Sequence, residues 1–314
     1  MSFVLLLLFL LSVPSYARDP LQPLSGKDEL YSESYTLIAD LENKDFLLLQ
    51  YLFTNAGLGE QKAACRILIV PHQGTPKNAV NRVSKEKWSY NPQNRSLTVA
   101  DCKLSSNQQS TTFAAKAQNL SATVVIQQPL RSMLPTDSLS FGKKHYKGNM
   151  LIPSARLQAN YQVANQPAKT SNGYAHFNHT HSNIMLTQVA SEWYKFRGFY
   201  GTKPLIVQLR KAPGATTITG WSYQENQSPA ALSSNTIRVK PQGSSLSIQT
   251  QSKHGLIQIN TVKRLNVFQP TKEYGALGKL AEKLFGGPET ITYRATASVG
   301  QETLRGILEV TTIR

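Results

Sequence analysis

Three of the six histidines in this 314-residue chain fall within one short stretch, GYAHFNHTHS (173–182): His176, His179 and His181, with the amide of Asn178 among them. Imidazole changes charge near neutrality and is also the commonest metal ligand. Four readings of the cluster are open: metal binding, proton transfer, ligand contact, or an exposed loop without a task. On an extended strand, the side-chain period of two sends His179 and His181 to one face and His176 to the other. A His-x-His pair supplies two ligands to zinc or another divalent ion, and a third would have to come from His145, His254 or a carboxylate.

Nucleophilic catalysis has less behind it. The chain contains no G-x-S-x-G elbow and no convincingly placed S-x-x-K box. The glycines of GLGE (57–60) open no helix and so form no phosphate cradle. Acidic residues are few, 18 against 34 Lys and Arg, which limits chemistry by paired carboxylates and leaves a formal net charge of +16. A surface that basic attracts anions, including the headgroups of an anionic membrane. The basic residues are scattered, in blocks no longer than two, and no aromatic-basic motif accompanies them, so nucleic acid is not an expected partner.

The first seventeen residues, MSFVLLLLFLLSVPSYA, hold an apolar run that is too short to span a bilayer and ends in the small-x-small triplet Ser15-Tyr16-Ala17. They read as a cleaved export signal, although no Lys or Arg precedes the run. An exported, periplasmic or secreted chain meets oxidising conditions. Its two cysteines, Cys65 and Cys102, can then form one disulfide or remain buried thiols, and their wide spacing disfavours metal ligation.

The elements that must position the histidines are short strands. SYTLIADL, FLLLQYLFT, CRILIV, RSLTVADCKL, STTFAAKAQ and SATVVIQQPL follow one another in the first half. EWYKFRGFY, PLIVQLRKA, GLIQINTVKRL, TITYRATASV and TLRGILEVTTI are among those of the second. This rhythm, rich in Thr, Val, Ile and Tyr with Gly, Asn and Ser at the joints, predicts antiparallel barrels or sandwiches. The strands outnumber the needs of one small barrel, so two domains are expected, over 18–185 and 186–314. One late amphipathic helix is expected over KEYGALGKLAEKLFGG (272–287), where Tyr274, Leu277, Leu280, Ala281, Leu284 and Phe285 recur at helical spacing.

The run from Tyr146 to Ser182 resembles the two-domain lipocalin-like superfamily of hydroxyneurosporene synthase (a carotenoid hydratase), survival-factor-like proteins and pericyclic-reaction enzymes. Gly173, Ala175, Asn178 and Ser182 keep the spacing of that superfamily's G-x-A-x-x-D-x-x-x-S motif. Downstream, Trp193 and Phe196 fall at matching places of its tryptophan-led strand pair, and Tyr293, Gly306 and Glu309 at those of its closing hairpin. The resemblance implies two calycin-type barrels with an apolar ligand, a lipid or isoprenoid, held within or between them, and no cofactor. It places His176, Asn178, His179, His181, Ser182, Trp193, Arg197, Tyr293 and Glu309 near that ligand. Trp193 and Phe196 suit barrel core better than ligand lining, and Arg197 with Glu309 suits an internal ion pair as well as ligand binding. Asn178 stands where the superfamily has aspartate, and an amide neither donates nor takes a catalytic proton. Binding is therefore the main expectation. A hydratase, cyclase or isomerase using His179 is the alternative, and a metal-dependent enzyme a second.

Overall fold

The computed structural model describes residues 18–55, 61–130, 133–200, 203–224, 227–271 and 287–313. They are nearly all strand. The first sheet contains β1 (Ser32–Leu41), β2 (Phe46–Thr54), β3 (Lys62–Val70), β4 (Lys77–Val83), β5 (Trp88–Asn91), β6 (Ser96–Val99), β7 (Cys102–Ser106), β8 (Thr111–Ala117), β9 (Leu120–Ile126), β10 (Leu134–Phe141), β11 (Lys144–Val163) and β12 (Lys169–Ser182). The second contains β13 (Glu192–Tyr200), β14 (Lys203–Lys211), β15 (Ile218–Gln224), β16 (Ala230–Leu232), β17 (Arg238–Gln242), β18 (Ser245–Ser252), β19 (Gly255–Phe268), β20 (Pro288–Val299) and β21 (Glu302–Ile313). All pairings are antiparallel. The first sheet runs β4-β3-β2-β1-β12-β11-β9-β8-β7-β6-β5, with β10 on β11, and the second runs β16-β15-β14-β13-β21-β20-β19-β18-β17. The first is a nearly closed barrel and the second a half-barrel.

A single helical turn, α1 (Leu186–Val189), lies between the sheets in sequence. The late helix expected over 272–287 falls almost entirely outside the described residues.

The continuous apolar run FLLLQYLFT is explained by burial on both faces of β2. Leu47, Leu49, Tyr51 and Phe53 point into the barrel, which is filled by the buried side chains of Tyr35, Phe113, Tyr161 and Phe177. Phe46 and Leu48 point outward. With Ile38, Leu68 and Val70, they pack on Leu265 and Ile307 of the second sheet. Arg66 lies 3.5 Å over the Phe268 ring, and Arg294 bonds Asp40 at 2.7 Å across the same junction. Cys65 of β3 and Cys102 of β7 form a disulfide inside the barrel core.

Candidate functional site

Strand β12 lies between β1 and β11, and the histidine stretch is its last third. Alternation delivers its residues to two environments, the barrel interior and the junction with the second sheet.

On the inner face, His179 Nε2 donates to Glu33 Oε1 at 2.7 Å, with the imidazole stacked on the Tyr35 ring at 4.5 Å. Both partners are almost fully buried. Glu33 also accepts the Tyr31 hydroxyl at 2.5 Å, the Tyr35 hydroxyl at 3.2 Å and the Leu24 amide at 2.8 Å. Burial alone would raise the Glu33 carboxyl, but the hydrogen bond and charge of His179, with the Tyr31 hydroxyl and Leu24 amide, hold it below the ordinary carboxylate value. The same network pushes the Tyr31 and Tyr35 hydroxyls up, through burial and the adjacent carboxylate. His181 Nδ1 meets His145 Nε2 at 3.2 Å. Burial, then the neighbouring His179 and His145, push the His181 pKa down to about 4.

On the outer face, Tyr174, His176 and Asn178 look toward β13, whose Lys195, Arg197 and Phe199 look back. Tyr174 stacks on Phe199 with ring centroids 5.9 Å apart. Between the sheets lies a small cleft of about 20 Å³, lined on one side by His176, Asn178, Asn149 and Met150 and on the other by Lys195, Arg197, Ile206, Gln208 and Trp221. Strand register builds the second wall as two rows. Glu309, Lys195, Gln208 and Trp221 align across β21, β13, β14 and β15, and Ile307, Arg197, Ile206 and Tyr223 form the row beside them.

Two local features hold the cleft open and in place. The register of β11 slips on either side of Ile152, a bulge that accommodates Pro153. The Pro153 carbonyl accepts His176 Nδ1–H at 3.1 Å, which leaves Nε2 as the lone-pair nitrogen of this ring. Burial, and then the Arg197 charge, hold the His176 pKa well below its ordinary value, so the ring is neutral. Gly306 faces Gly198 across β21 and β13, and a Cβ on Gly306 would collide with the Arg197 carbonyl. The missing side chain lets β21 approach closely enough for Glu309 Oε2 to accept Arg197 Nη1–H at 2.6 Å.

Gln208 donates to Asp137 at 2.9 Å, and burial raises the Asp137 pKa although Lys195 and Arg210 pull it down. Asn178 Oδ1 in the first wall and Trp221 Nε1 in the second are buried without a hydrogen-bond partner among the described residues. Such groups cost about 1–3 kcal/mol each when left unpaired.

The residues singled out in the sequence thus separate. His176, Asn178 and Arg197 line the cleft, with Glu309 behind Arg197. His179 and His181 lie in the barrel end, turned away from it. Trp193 packs with Tyr146, Ile184, Val189 and Ala190 beside the connecting turn, while Phe196 and Tyr293 belong to the core of the second sheet. The Ser182 hydroxyl serves the backbone, bonding the carbonyls of His145 and Ile184. His254 bonds Gln227, and among the described residues no group of three or more His, Cys, Asp or Glu is arranged to hold a metal ion. Glu33, Lys195, Gln208 and Trp221 were not anticipated. Glu33 is 146 positions from His179 in sequence, so only the β1–β12 pairing makes them neighbours.

No family model matches the chain, and no curated protein matches it in sequence. Solved structures do match. A candidate AttH protein from Nitrosomonas europaea superposes with a TM-score of 0.65 at 11% identity, covering 96% of this chain and 99% of the other. Kievitone hydratase from Nectria haematococca gives 0.55 at 11%, over 95% and 92%. CghA with Sch210972 gives 0.51 at 10%, over 91% and 89%. At such identities the likeness is one of fold alone, and it is the fold that the resemblance of the motifs implies.

Proposed function

We propose that this protein binds an amphipathic small molecule, a lipid or isoprenoid, with its polar end in the cleft between the sheets. One observation carries the reading: Asn178 Oδ1 and Trp221 Nε1, an acceptor and a donor, are both buried and unpartnered in the same cleft. Buried polar groups are normally paired, and a pair of exceptions lining one cleft marks a place where something else completes them. Of the two positions the resemblance offers for a ligand, within or between the barrels, the first is filled by aromatic and aliphatic side chains. Met150, Ile206 and Tyr223 supply an apolar floor to the second.

The same proposal includes export, two domains over 18–185 and 186–314, and transient contact with an anionic membrane. The Cys65–Cys102 disulfide suits an oxidising compartment, the break between Ser182 and Glu192 suits the domain division, and the charge of +16 suits a lipid surface.

Native mass spectrometry of the mature protein as purified, with organic extraction, tests the reading. A co-purifying apolar molecule, or uptake of an added fluorescent fatty-acyl analogue that weakens about tenfold or more in Trp221→Phe, is expected. Absence of both defeats it.

A second reading is favoured by His176. Its neutral ring, anchored through Nδ1 to Pro153, offers Nε2 as a general base beside the Arg197 guanidinium, an arrangement suited to a cofactor-independent hydratase or isomerase. In that case His176→Gln retains ligand but leaves it chemically unaltered, whereas the wild type converts it.

A further inference from the structure

We infer that the ligand end held in the inter-sheet cleft is a monoanion, and specifically a carboxylate. The inference rests on the binding reading above and adds the chemistry of the group recognised. Donors dominate the second wall of the cleft. Arg197 is buried to 4% exposure, and its bond to Glu309 uses one of five guanidinium N–H groups. The Trp221 indole N–H, two strands away on the neighbouring row, has no acceptor among the described residues. Lys195, two residues before Arg197 on β13 and in the same row as Trp221, brings an ammonium with three donors, lying 5.6 Å from the Trp193 ring centroid.

The charges do not cancel. Lys195, Arg197 and Arg210 stand against Glu309 and Asp137, three cations to two carboxylates, which leaves one net positive charge at the wall. Asp137 already accepts from Gln208 and lies within the fields of Lys195 and Arg210, so it is spoken for. A singly charged carboxylate neutralises the remainder and has two oxygens for the guanidinium and the indole N–H. A dianionic phosphate would overfill it, and an alcohol would leave the cation unanswered. The Asn178 amide presents either its oxygen or its NH2 group by rotating about its last bond, so it accommodates an anion beside it. The cleft has room for such a head and not for a long chain, whose first segment would continue over Met150 and Ile206.

Three probes of one chain length separate the possibilities: palmitate, hexadecanol and hexadecyl phosphate, titrated into the mature protein and followed by native mass spectrometry. Palmitate is expected to bind about tenfold or more tightly than hexadecanol, and the preference to fall to parity in Lys195→Met. Lys77→Gln, an exposed substitution on the edge strand β4, controls for the general basic surface and should retain the preference. Equal affinity for palmitate and hexadecanol, or a preference surviving in Lys195→Met, overturns the carboxylate inference while leaving the binding reading intact. Tighter binding of hexadecyl phosphate overturns it too. Failure of all three to bind removes the binding reading itself.

Discussion

The two faces of β12 carry the same residue types to opposite fates. On the inner face His179 enters a network in which Glu33 accepts four hydrogen bonds, from His179, Tyr31, Tyr35 and the Leu24 amide, while the imidazole Nδ1 has no partner among the described residues. On the outer face His176 is likewise tied by one ring nitrogen, but to a lone backbone carbonyl, and Asn178 beside it keeps a buried oxygen unpaired among the described residues. Four bonds converging on one buried carboxylate hold a barrel end together, whereas polar atoms left over on both walls of a cleft mark a place for a partner. Histidine density by itself does not separate the two faces, whereas the bonds that converge on each do.

The largest effect should come from the inner face. Glu33→Ala strands a buried imidazole and two buried hydroxyls, and is expected to lose about 3–5 kcal/mol of stability in urea denaturation. A loss below about 1 kcal/mol would mean that the network is not structural and that the contrast between the faces is mistaken. Gly306→Ala strikes the outer face through the backbone. The added methyl drives β21 from β13, costing about 1–3 kcal/mol and shifting the Arg197–Glu309 pair, so ligand affinity should fall together with the melting temperature. Retained affinity in a destabilised variant would uncouple that pair from the cleft.

Acid titration sharpens the contrast further. His181 titrates near 4 in the folded protein against an ordinary value of 6.5, so the unfolded chain binds more protons between those limits and stability falls as pH drops through that window. Glu33, depressed below 4.5, adds a further loss as pH falls below that value. His181→Gln should therefore flatten the decline between pH 6.5 and 4 while leaving the lower limb, and an unchanged profile would place the titrating group elsewhere. The smallest effect on stability should be that of Asn178→Ala. Removing an unpaired buried oxygen should change stability by less than about 1 kcal/mol while weakening ligand binding. A large loss of stability there would show that Asn178 is part of the scaffold.

Much of the fold was legible because burial writes itself into sequence. FLLLQYLFT and CRILIV read as strands, and the alternation rule placed His176 opposite His179 and His181 before any coordinates. The barrel-like, two-sheet character followed from strand number, and the motif spacing at Gly173, Ala175, Asn178 and Ser182 pointed to the fold. The site was legible only from one wall. Gln208 and Trp221 look like ordinary strand residues until β13, β14 and β15 are laid in register, and nothing singles Glu33 out from the other acidic residues until β1 pairs with β12. Sequence proximity also misled in one respect: His179, the nearest histidine to Asn178, points the other way, as neighbours on a strand must.

The apolar outer face of the first barrel has a consequence for biosynthesis. All the strands of that barrel have been made once Ser182 has emerged from the ribosome, yet Ile38, Phe46, Leu48, Leu68 and Val70 have no cover until Leu265 and Ile307 follow. For more than a third of its translation the nascent chain displays a greasy flank on an otherwise finished half, the kind of surface that chaperones hold and that aggregates when they do not. Truncation after the first sheet would thus yield a sticky fragment, and the order of synthesis, more than the final stability, would decide how much of the protein reaches its folded state.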